Sequence, residues 1–416
     1  MEQIMTVQTN DGFRRALARF REFERRRTCT LMLTRSCNLN CQYCYERHKT
    51  SDRSFDMTLD TAKRIVASEL EFVEHSDSFD ELEIDFIGGE PMLNFPVIKG
   101  IVEWLVSEPR HVPYICFAST NGTMVSPYRD WLFAHRHVLQ LGGSYDGTLE
   151  SQRVNRGVGG SREVELDTLK ELYPNQGLHM VVSKRTLPFF AEGTMEIQSR
   201  GFLLDAALAQ GEDWTADDAV LFSRQMETLS VWYLNERPDL EPLNFLLNSL
   251  HLVSASQSSY RQRKFCGTGT HMVTYDHDGK RYGCHLFTPI VLGDAARTVD
   301  EMDFSCADAG CDPYCRECVL KGVCPTCAGF NFRYRGDIAA RDRRCCAMVL
   351  AEMKASCRFQ LKTLAHMDKL DDREKQLAAD ALAAYPILQS LDLSDKSPYG
   401  AGLTGKEVKQ DGYYER

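Results

Sequence analysis

The sequence predicts an α/β fold built on a parallel sheet, followed by a small cysteine-rich unit held together by metal. Two observations carry this. Strand-like and helical segments alternate from residue 28 to 190, the pattern of successive βα units. Later, Cys306, Cys311, Cys315, Cys318, Cys324 and Cys327 crowd together where few long periodic runs occur. Metal rather than an apolar core would organise such a segment.

The elements follow in order. Phe13, Leu17, Phe20 and Phe23 recur at helical spacing, so residues 11–27 read as an amphipathic helix. Its other face carries Arg14, Arg15, Arg19, Arg21, Arg25, Arg26 and Arg27. That face is either simply solvated or a contact for an acidic peptide. Residues 28–34 are strand-like and end at a cysteine loop. Residues 59–75 read as a helix, and 81–89 as a strand closing on a glycine turn. A helix at 96–108 and a strand with its loop at 113–123 come next. SPYRDWLFAH is helical, 138–147 is strand then loop, EVELDTLKELY is helical and 177–184 is again a strand. The polar, glycine-rich stretches follow the strands, on the face where βα barrels place active sites. Residues 191–262 read as mostly helical, 263–346 as the cysteine-rich unit, and 347–416 as a helix or two with a polar tail.

Composition narrows the function. The chain has 416 residues, a net charge of −10, 43% hydrophobic and 26% charged residues. The length calls for a large domain plus a smaller one. The acidic balance excludes general nucleic-acid binding, which needs a cationic surface. No apolar run approaches the roughly 20 residues needed to cross a bilayer. The N-terminus is polar where a signal peptide would be apolar. A cytoplasmic protein with no membrane partner is expected. Its 16 cysteines are then thiols rather than disulfides, and clustered thiolates mean metal. Cys29, Cys116 and Cys357 are the ordinary scattered ones.

Cys37, Cys41 and Cys44 form C-x3-C-x2-C with no fourth cysteine nearby. Structural zinc takes four protein ligands. Three thiolates on one loop can instead hold three irons of a [4Fe–4S] cube, leaving the fourth iron open for a reacting molecule. The loop resembles the signature of the radical S-adenosylmethionine (SAM) superfamily, C-x3-C-x-Φ-C, with Tyr43 as Φ. That resemblance implies that SAM binds the open iron and is cleaved reductively to a 5′-deoxyadenosyl radical. It also implies an electron donor such as flavodoxin or ferredoxin, and a partial (β/α)6 barrel over about residues 30–190. The GGEP stretch is similar to the family's GGE motif, which puts Gly89 and Glu90 on the methionine ammonium. By the same resemblance Ser119 and Asn121 meet the SAM ribose or its neighbours. Ser144 and Arg156 meet the SAM carboxylate, where an arginine fork suits the anion. Asp146 reads as a turn residue.

The late cysteines resemble a SPASM domain, which holds two auxiliary [4Fe–4S] clusters in enzymes that modify peptides and proteins. Cys266 and Cys284 stand in C-x12-G-x4-C around Gly279. The resemblance assigns Cys266, Cys284 and Cys327 to the first auxiliary cluster. It assigns Cys315, Cys318, Cys324 and one of Cys345 or Cys346 to the second. The spacing before Cys327 is x2 where the family has x3. The fourth iron of the first cluster is either open or served by Cys306 or Cys311. A zinc ribbon is the alternative for this segment.

Sulfatase maturases place an aspartate after the cysteine matching Cys284; His285 stands there instead. The form resembles enzymes that cross-link cysteine-containing precursor peptides, and His285 is the candidate base. A ribosomally made precursor peptide is the expected substrate, with cysteine thioether formation as the expected reaction. Only 27 residues precede the first strand, so leader recognition would fall to the arginine helix, residues 191–262 or a separate leader-binding protein. Carbon–carbon cross-linking, a SPASM-type dehydrogenation and a non-catalytic metal-binding scaffold are the rivals.

Overall fold

In the computed structural model eight strands form one sheet, β1 (Arg26–Met32), β2 (Glu81–Ile87), β3 (Tyr114–Thr120), β4 (Leu139–Ser144), β5 (Gly177–Val182), β6 (Leu203–Leu208), β7 (Met272–Tyr275) and β8 (Arg281–Tyr282). The structure describes residues 11–19, 25–162, 164–252, 266–299, 302–304, 315 and 318–393. The strand order is β6-β5-β4-β3-β2-β1-β7-β8, and every pairing is parallel except β7 with β8. Among the described residues the sheet does not close. The expected partial barrel is present.

Alternation along the strands sets the two faces. Leu82, Ile84 and Phe86 of β2 point outward. They join Cys29, Leu31, Cys116 and Leu141 in one apolar cluster with Ile65, Val66, Ile98 and Val102. The last four lie on α2 (Leu59–Glu74) and α3 (Phe95–Ser107). α2 buries Ala62, Ile65, Val66, Glu69 and Val73, a single stripe, and Thr58 caps it by accepting from the Thr61 N–H. The inward positions include many polar residues: Thr30, Asp85, Ser119, Ser144, His179 and Asp205 all line one cavity. α4 (Arg129–His135), α5 (Leu149–Arg162) and α6 (Leu166–Leu172) cross between strands. α7 (Phe190–Ser199) and α8 (Ala216–Asn235) flank β6. After the short α9 (Pro289–Leu292) and α10 (Ala328–Arg335), the chain closes with α11 (Cys346–Ala365) and α12 (Asp372–Ser390).

Three sequence expectations change. The sheet continues past residue 190, because β6 lies in the stretch read as helical. Its Leu-Leu-Asp-Ala-Ala-Leu run buries Leu204, Ala206 and Leu208 in alternation, but alanines mask the strand signal. α5 was not foreseen, since Gly157, Gly159 and Gly160 argue against a helix; it is kinked at Gly157, where φ is 80°. The N-terminal helix α1 spans only Asp11–Arg19, while Arg26 and Arg27 already belong to β1. Phe20, Arg21 and Phe23 lie outside the described residues.

The arginines of this N-terminal segment face acids of the same chain. Arg14 pairs with Glu374, Arg15 and Arg19 with Glu241, Arg25 with Asp80, and Arg26 with Glu81 and Glu83. Within these pairs Arg14, Arg15, Arg19 and Arg25 stay about half exposed. Arg27 and Glu69 form a buried pair at 2.9 Å, and the Tyr275 hydroxyl donates to Glu69 at 2.6 Å. One carboxylate thus ties α2 to β1 and to β7. Its removal strands a buried guanidinium. Glu69→Ala should lower the unfolding free energy by about 3–5 kcal/mol, measured as a fall in the denaturant midpoint against wild type.

Candidate active site and cysteine groups

The loops after β1, β2 and β3 meet residues of β4, β5 and β6 around one cavity of about 500 Å³, within the range of small-molecule sites. The loop after β1 brings Cys37, Cys41 and Cys44 to its wall. The glycine pair after β2 lets that loop come close. A Cβ on Gly88, where φ is 153°, would sit 2.5 Å from the Thr34 carbonyl oxygen. One on Gly89 would sit 2.2 Å from the Ser36 carbonyl oxygen. The Gly89 and Glu90 N–H groups donate to those same carbonyls at 3.0 and 2.8 Å. Gly89 therefore positions the cysteine loop through its N–H.

Glu90 is 1% exposed and lies against the cavity. Its carboxylate accepts from the Thr120 hydroxyl at 2.7 Å, the Asn121 N–H at 2.8 Å and the Met92 N–H at 3.2 Å. Burial still pushes its pKa up against these donors. Asn121 holds the cysteine loop, its amide donating to Asn38 Oδ1 at 2.8 Å. Ser119 and Ser144 line the cavity.

Asp146 is not the turn residue that its Asp-Gly context implies. It is buried and accepts from the Tyr43 hydroxyl at 2.8 Å, Asn155 at 3.2 Å and the Val181 N–H at 2.9 Å. It also takes both forks of Arg156, Nε at 2.9 Å and Nη2 at 3.0 Å. Burial disfavours the Arg156 charge, yet the Asp146 carboxylate holds it ionised. The guanidinium also stands 5.4 Å from the centre of the Tyr43 ring. Sequence could not reveal this hub, because Tyr43, Asp146, Asn155 and Val181 come from four separate segments.

Other cavity groups carry no motif. Thr30 Oγ1 and Asp85 Oδ1 are buried in this wall, and the Thr30 hydroxyl lies close enough to the Asp85 carboxyl to lower its pKa. Burial and the neighbouring Glu83 push Asp85 up to about 7. Glu46 is pushed up to about 8 by burial.

The β7–β8 hairpin carries the second group of cysteines. Gly279, at φ 85°, makes its turn, and the Gly279 N–H donates to the Asp276 carbonyl at 2.8 Å. That explains the glycine between Cys266 and Cys284. Cys284 feels the charges of Cys327 and Cys266, and Cys327 feels Cys266. These three thiols are therefore neighbours. His285 lines the main cavity, its ring 5.5 Å from that of Tyr45. Burial pushes His285 down to about 4. That shift favours the neutral imidazole, the form a candidate base needs in order to accept a proton.

A second cavity of about 290 Å³ is walled by Cys315, Cys318, Cys324, Cys327, Cys345 and Cys346. Cys346 feels Cys324, Cys315 and Cys318 together, whereas Cys345 feels Asp342, Arg344 and Cys324. Cys306 and Cys311 lie outside the described residues. Cys29, Cys116 and Cys357 are buried in apolar clusters, as ordinary core thiols.

The spread of these thiols tests which metal they suit. With Zn–S near 2.3 Å, tetrahedral zinc needs thiolates about 3.8 Å apart. Among the described residues, the group of three or more potential ligands within 4.8 Å of one another is Asp276, His277 and Asp278, not any set of cysteines. Wider sets suit a cube, where each thiolate takes a different iron. Burial raises the thiol pKa values, that of Cys37 to about 11, so cluster assembly must release protons.

Residues 26–162 match the family model described as a 4Fe-4S single cluster domain. The chain is 30% identical over 168 residues to an uncharacterised protein of Methanocaldococcus jannaschii, covering 39% of this chain and 55% of that one. It is 23% identical over 227 residues to the radical SAM cyclopropyl synthase TigE of Paramaledivibacter caminithermalis, covering 50% and 47%. The chain thus spans about half the length of these curated relatives. In fold it is similar to native anSMEcpe with bound AdoMet, with a TM-score of 0.61 at 16% identity over 81% of this chain and 98% of that one. It is also similar to Streptococcus suis SuiB bound to its precursor peptide SuiA, with a TM-score of 0.53 at 12% identity over 80% and 79%. The resemblance to radical SAM proteins is therefore present in sequence over part of the chain, and the likeness to anSMEcpe and SuiB is one of fold.

Glu352, in the wall of the second cavity, gives a pH test. Burial pushes it up to about 7, and Asn248 donates to it at 2.7 Å. A carboxyl raised on folding binds its proton more tightly in the native state. Its contribution is full below about pH 4.5 and is lost as pH rises through 7, on the order of 3 kcal/mol. In the iron-free protein, Glu352→Gln should flatten the decline in unfolding free energy between pH 5 and 8, read from denaturant midpoints.

Proposed function

We propose that this protein is a radical SAM enzyme that modifies a ribosomally made peptide, forming a cysteine thioether. The observation that carries this is the three-thiol loop on the wall of a polar cavity, with no other cysteine among the described residues lining that cavity. When bound, an open-iron cluster supplies the electron that cleaves SAM to a 5′-deoxyadenosyl radical, which takes a hydrogen from the peptide. Three clusters are proposed: one at Cys37, Cys41 and Cys44, one at Cys266, Cys284 and Cys327, and one at Cys315, Cys318, Cys324 and Cys346.

The chain's own residues then bind, orient and exclude water. Glu90 offers a desolvated carboxylate to the SAM ammonium. Arg156 gives two of its five N–H donors to Asp146 and keeps the rest for the SAM carboxylate. Ser119 and Ser144 offer hydroxyls to the ribose or carboxylate. Leu39, Phe117, Leu178 and Met272 supply apolar walls. Neutral His285 joins this cavity to the Cys266 group and shapes the place where the bond closes. Overall, the peptide loses one hydrogen from carbon, one thiol proton and one electron, the last passing to an auxiliary cluster. A flavodoxin or ferredoxin would supply the initial electron.

A peptide substrate accords with neighbours whose structures hold peptides, anSMEcpe with its Kp18Cys peptide and SuiB with SuiA. Carbon–carbon bond formation is the second reading, favoured by the match to a cyclopropyl synthase. A reducing cytoplasmic setting goes with the absence of a disulfide among the 14 described cysteines. No helix among the described residues is long and apolar enough to cross a membrane.

Anaerobic reconstitution with dithionite and SAM tests the reading. Wild type should hold about twelve irons and make 5′-deoxyadenosine. A Cys37/Cys41/Cys44→Ala triple variant should hold about eight and make none. Loaded, reduced protein that leaves SAM intact would favour the scaffold. In the same iron assay Cys346→Ala should lose about four irons while Cys345→Ala keeps them; the reverse would exchange their roles.

A further inference from the structure

One cation contacts a thiol of the first loop and acts electrostatically on the other two, and neither the motif nor the proposed SAM contacts use it. Lys49 Nζ stands 3.7 Å from Cys44 Sγ and 3.3 Å from the Leu39 carbonyl oxygen. Cys37, Cys41 and Cys44 each feel its charge. The other charges near these thiols act locally. Arg156 faces Cys41 but is held by Asp146. Glu90 faces Cys37, and Glu46 faces Cys44.

The chain fixes Lys49 from both sides. The His48 N–H donates to the Ile290 carbonyl at 3.0 Å, and the Thr50 N–H to the Arg35 carbonyl at 3.1 Å. The Ser36 hydroxyl donates to the Thr50 carbonyl at 2.8 Å. These bonds fold the segment after Cys44 back onto the start of the loop. The ammonium is thereby placed beside Cys44 and half buried, where its field is weakly screened.

We infer that Lys49 is a positioning residue that tunes the SAM-binding cluster, holding its reduction potential up by an N–H···S contact and a fixed positive charge. This rests on the proposed cluster at Cys37, Cys41 and Cys44. Hydrogen bonds to the sulfurs and net charge are among the determinants of such potentials. A cube with three thiolates becomes more negative when it gains an electron from an external one-electron donor. A fixed cation beside it stabilises that added charge.

The test is a redox titration of the reconstituted holoenzyme without SAM, followed by electron paramagnetic resonance. The signal that changes on later addition of SAM marks the open cluster. Lys49→Met keeps the side-chain length and removes the charge. At a fixed potential its reduced-to-oxidised ratio should fall about tenfold, a midpoint lower by about 59 mV, with auxiliary signals unmoved. Lys49→Arg should restore the wild-type midpoint, and Lys49→Gln should repeat the fall if the methionine variant assembles poorly. Equal midpoints in fully loaded wild type and variants would overturn this inference alone, even if SAM binding weakens. A loaded wild type with no SAM-responsive signal would overturn the cluster reading and this inference together.

Discussion

The site depends on one buried carboxylate. Asp146 receives five donated hydrogen bonds, from Tyr43, Asn155, Val181 and twice from Arg156. Those donors belong to the cysteine loop, α5 and β5. A buried carboxylate is tolerated only when it is paired and saturated, so all three elements must meet there together. The cysteine loop has no regular structure of its own. Its shape is set by this hub on one side and by the Gly88–Glu90 turn on the other. Asn155 adds a carbonyl bond to the Gln42 N–H at 2.8 Å.

The second constraint is the continuity of the sheet. β7 pairs in parallel with β1, Thr28 opposite Met272. The cysteine-rich segment is therefore hydrogen-bonded to the strand that launches the first cysteine loop. Arg333 of α10 donates to the Tyr45 carbonyl at 3.1 Å. Tyr45 in turn meets His285 and Phe330. The segment that carries Cys266 and Cys284 is thus tied to the first cysteine loop, and it reaches the main cavity through Met272 and His285. That arrangement suits chemistry in which one site starts a reaction and another receives what is left.

Much of this was legible beforehand. The βα alternation gave the first five strands, because Leu82, Ile84 and Phe86 alternate cleanly with polar residues. The C-x3-C-x2-C loop and GGEP stood out because their spacing is rigid and local. Gly279 was visible as part of a spacing, and its positive φ supplies the physical reason. β6 stayed hidden because Ala206 and Ala207 favour no strand. The roles of Asp146 and Lys49 stayed hidden because each depends on groups brought together only by folding. Arg14, Arg15 and Arg19 looked like a free basic face, yet their partners, Glu374 and Glu241, lie hundreds of residues away. His285 looked like a base from its neighbours in sequence; burial lowers its pKa.

The central claim is that the cluster at Cys37, Cys41 and Cys44 keeps one iron open for SAM. Mössbauer spectroscopy of protein loaded with iron-57, recorded before and after adding SAM, addresses it directly. The account predicts that one iron of that cluster changes its isomer shift when SAM binds, while its other three and the auxiliary irons do not. An unchanged spectrum at saturating SAM would contradict it, as would zinc in place of iron at the three cysteines.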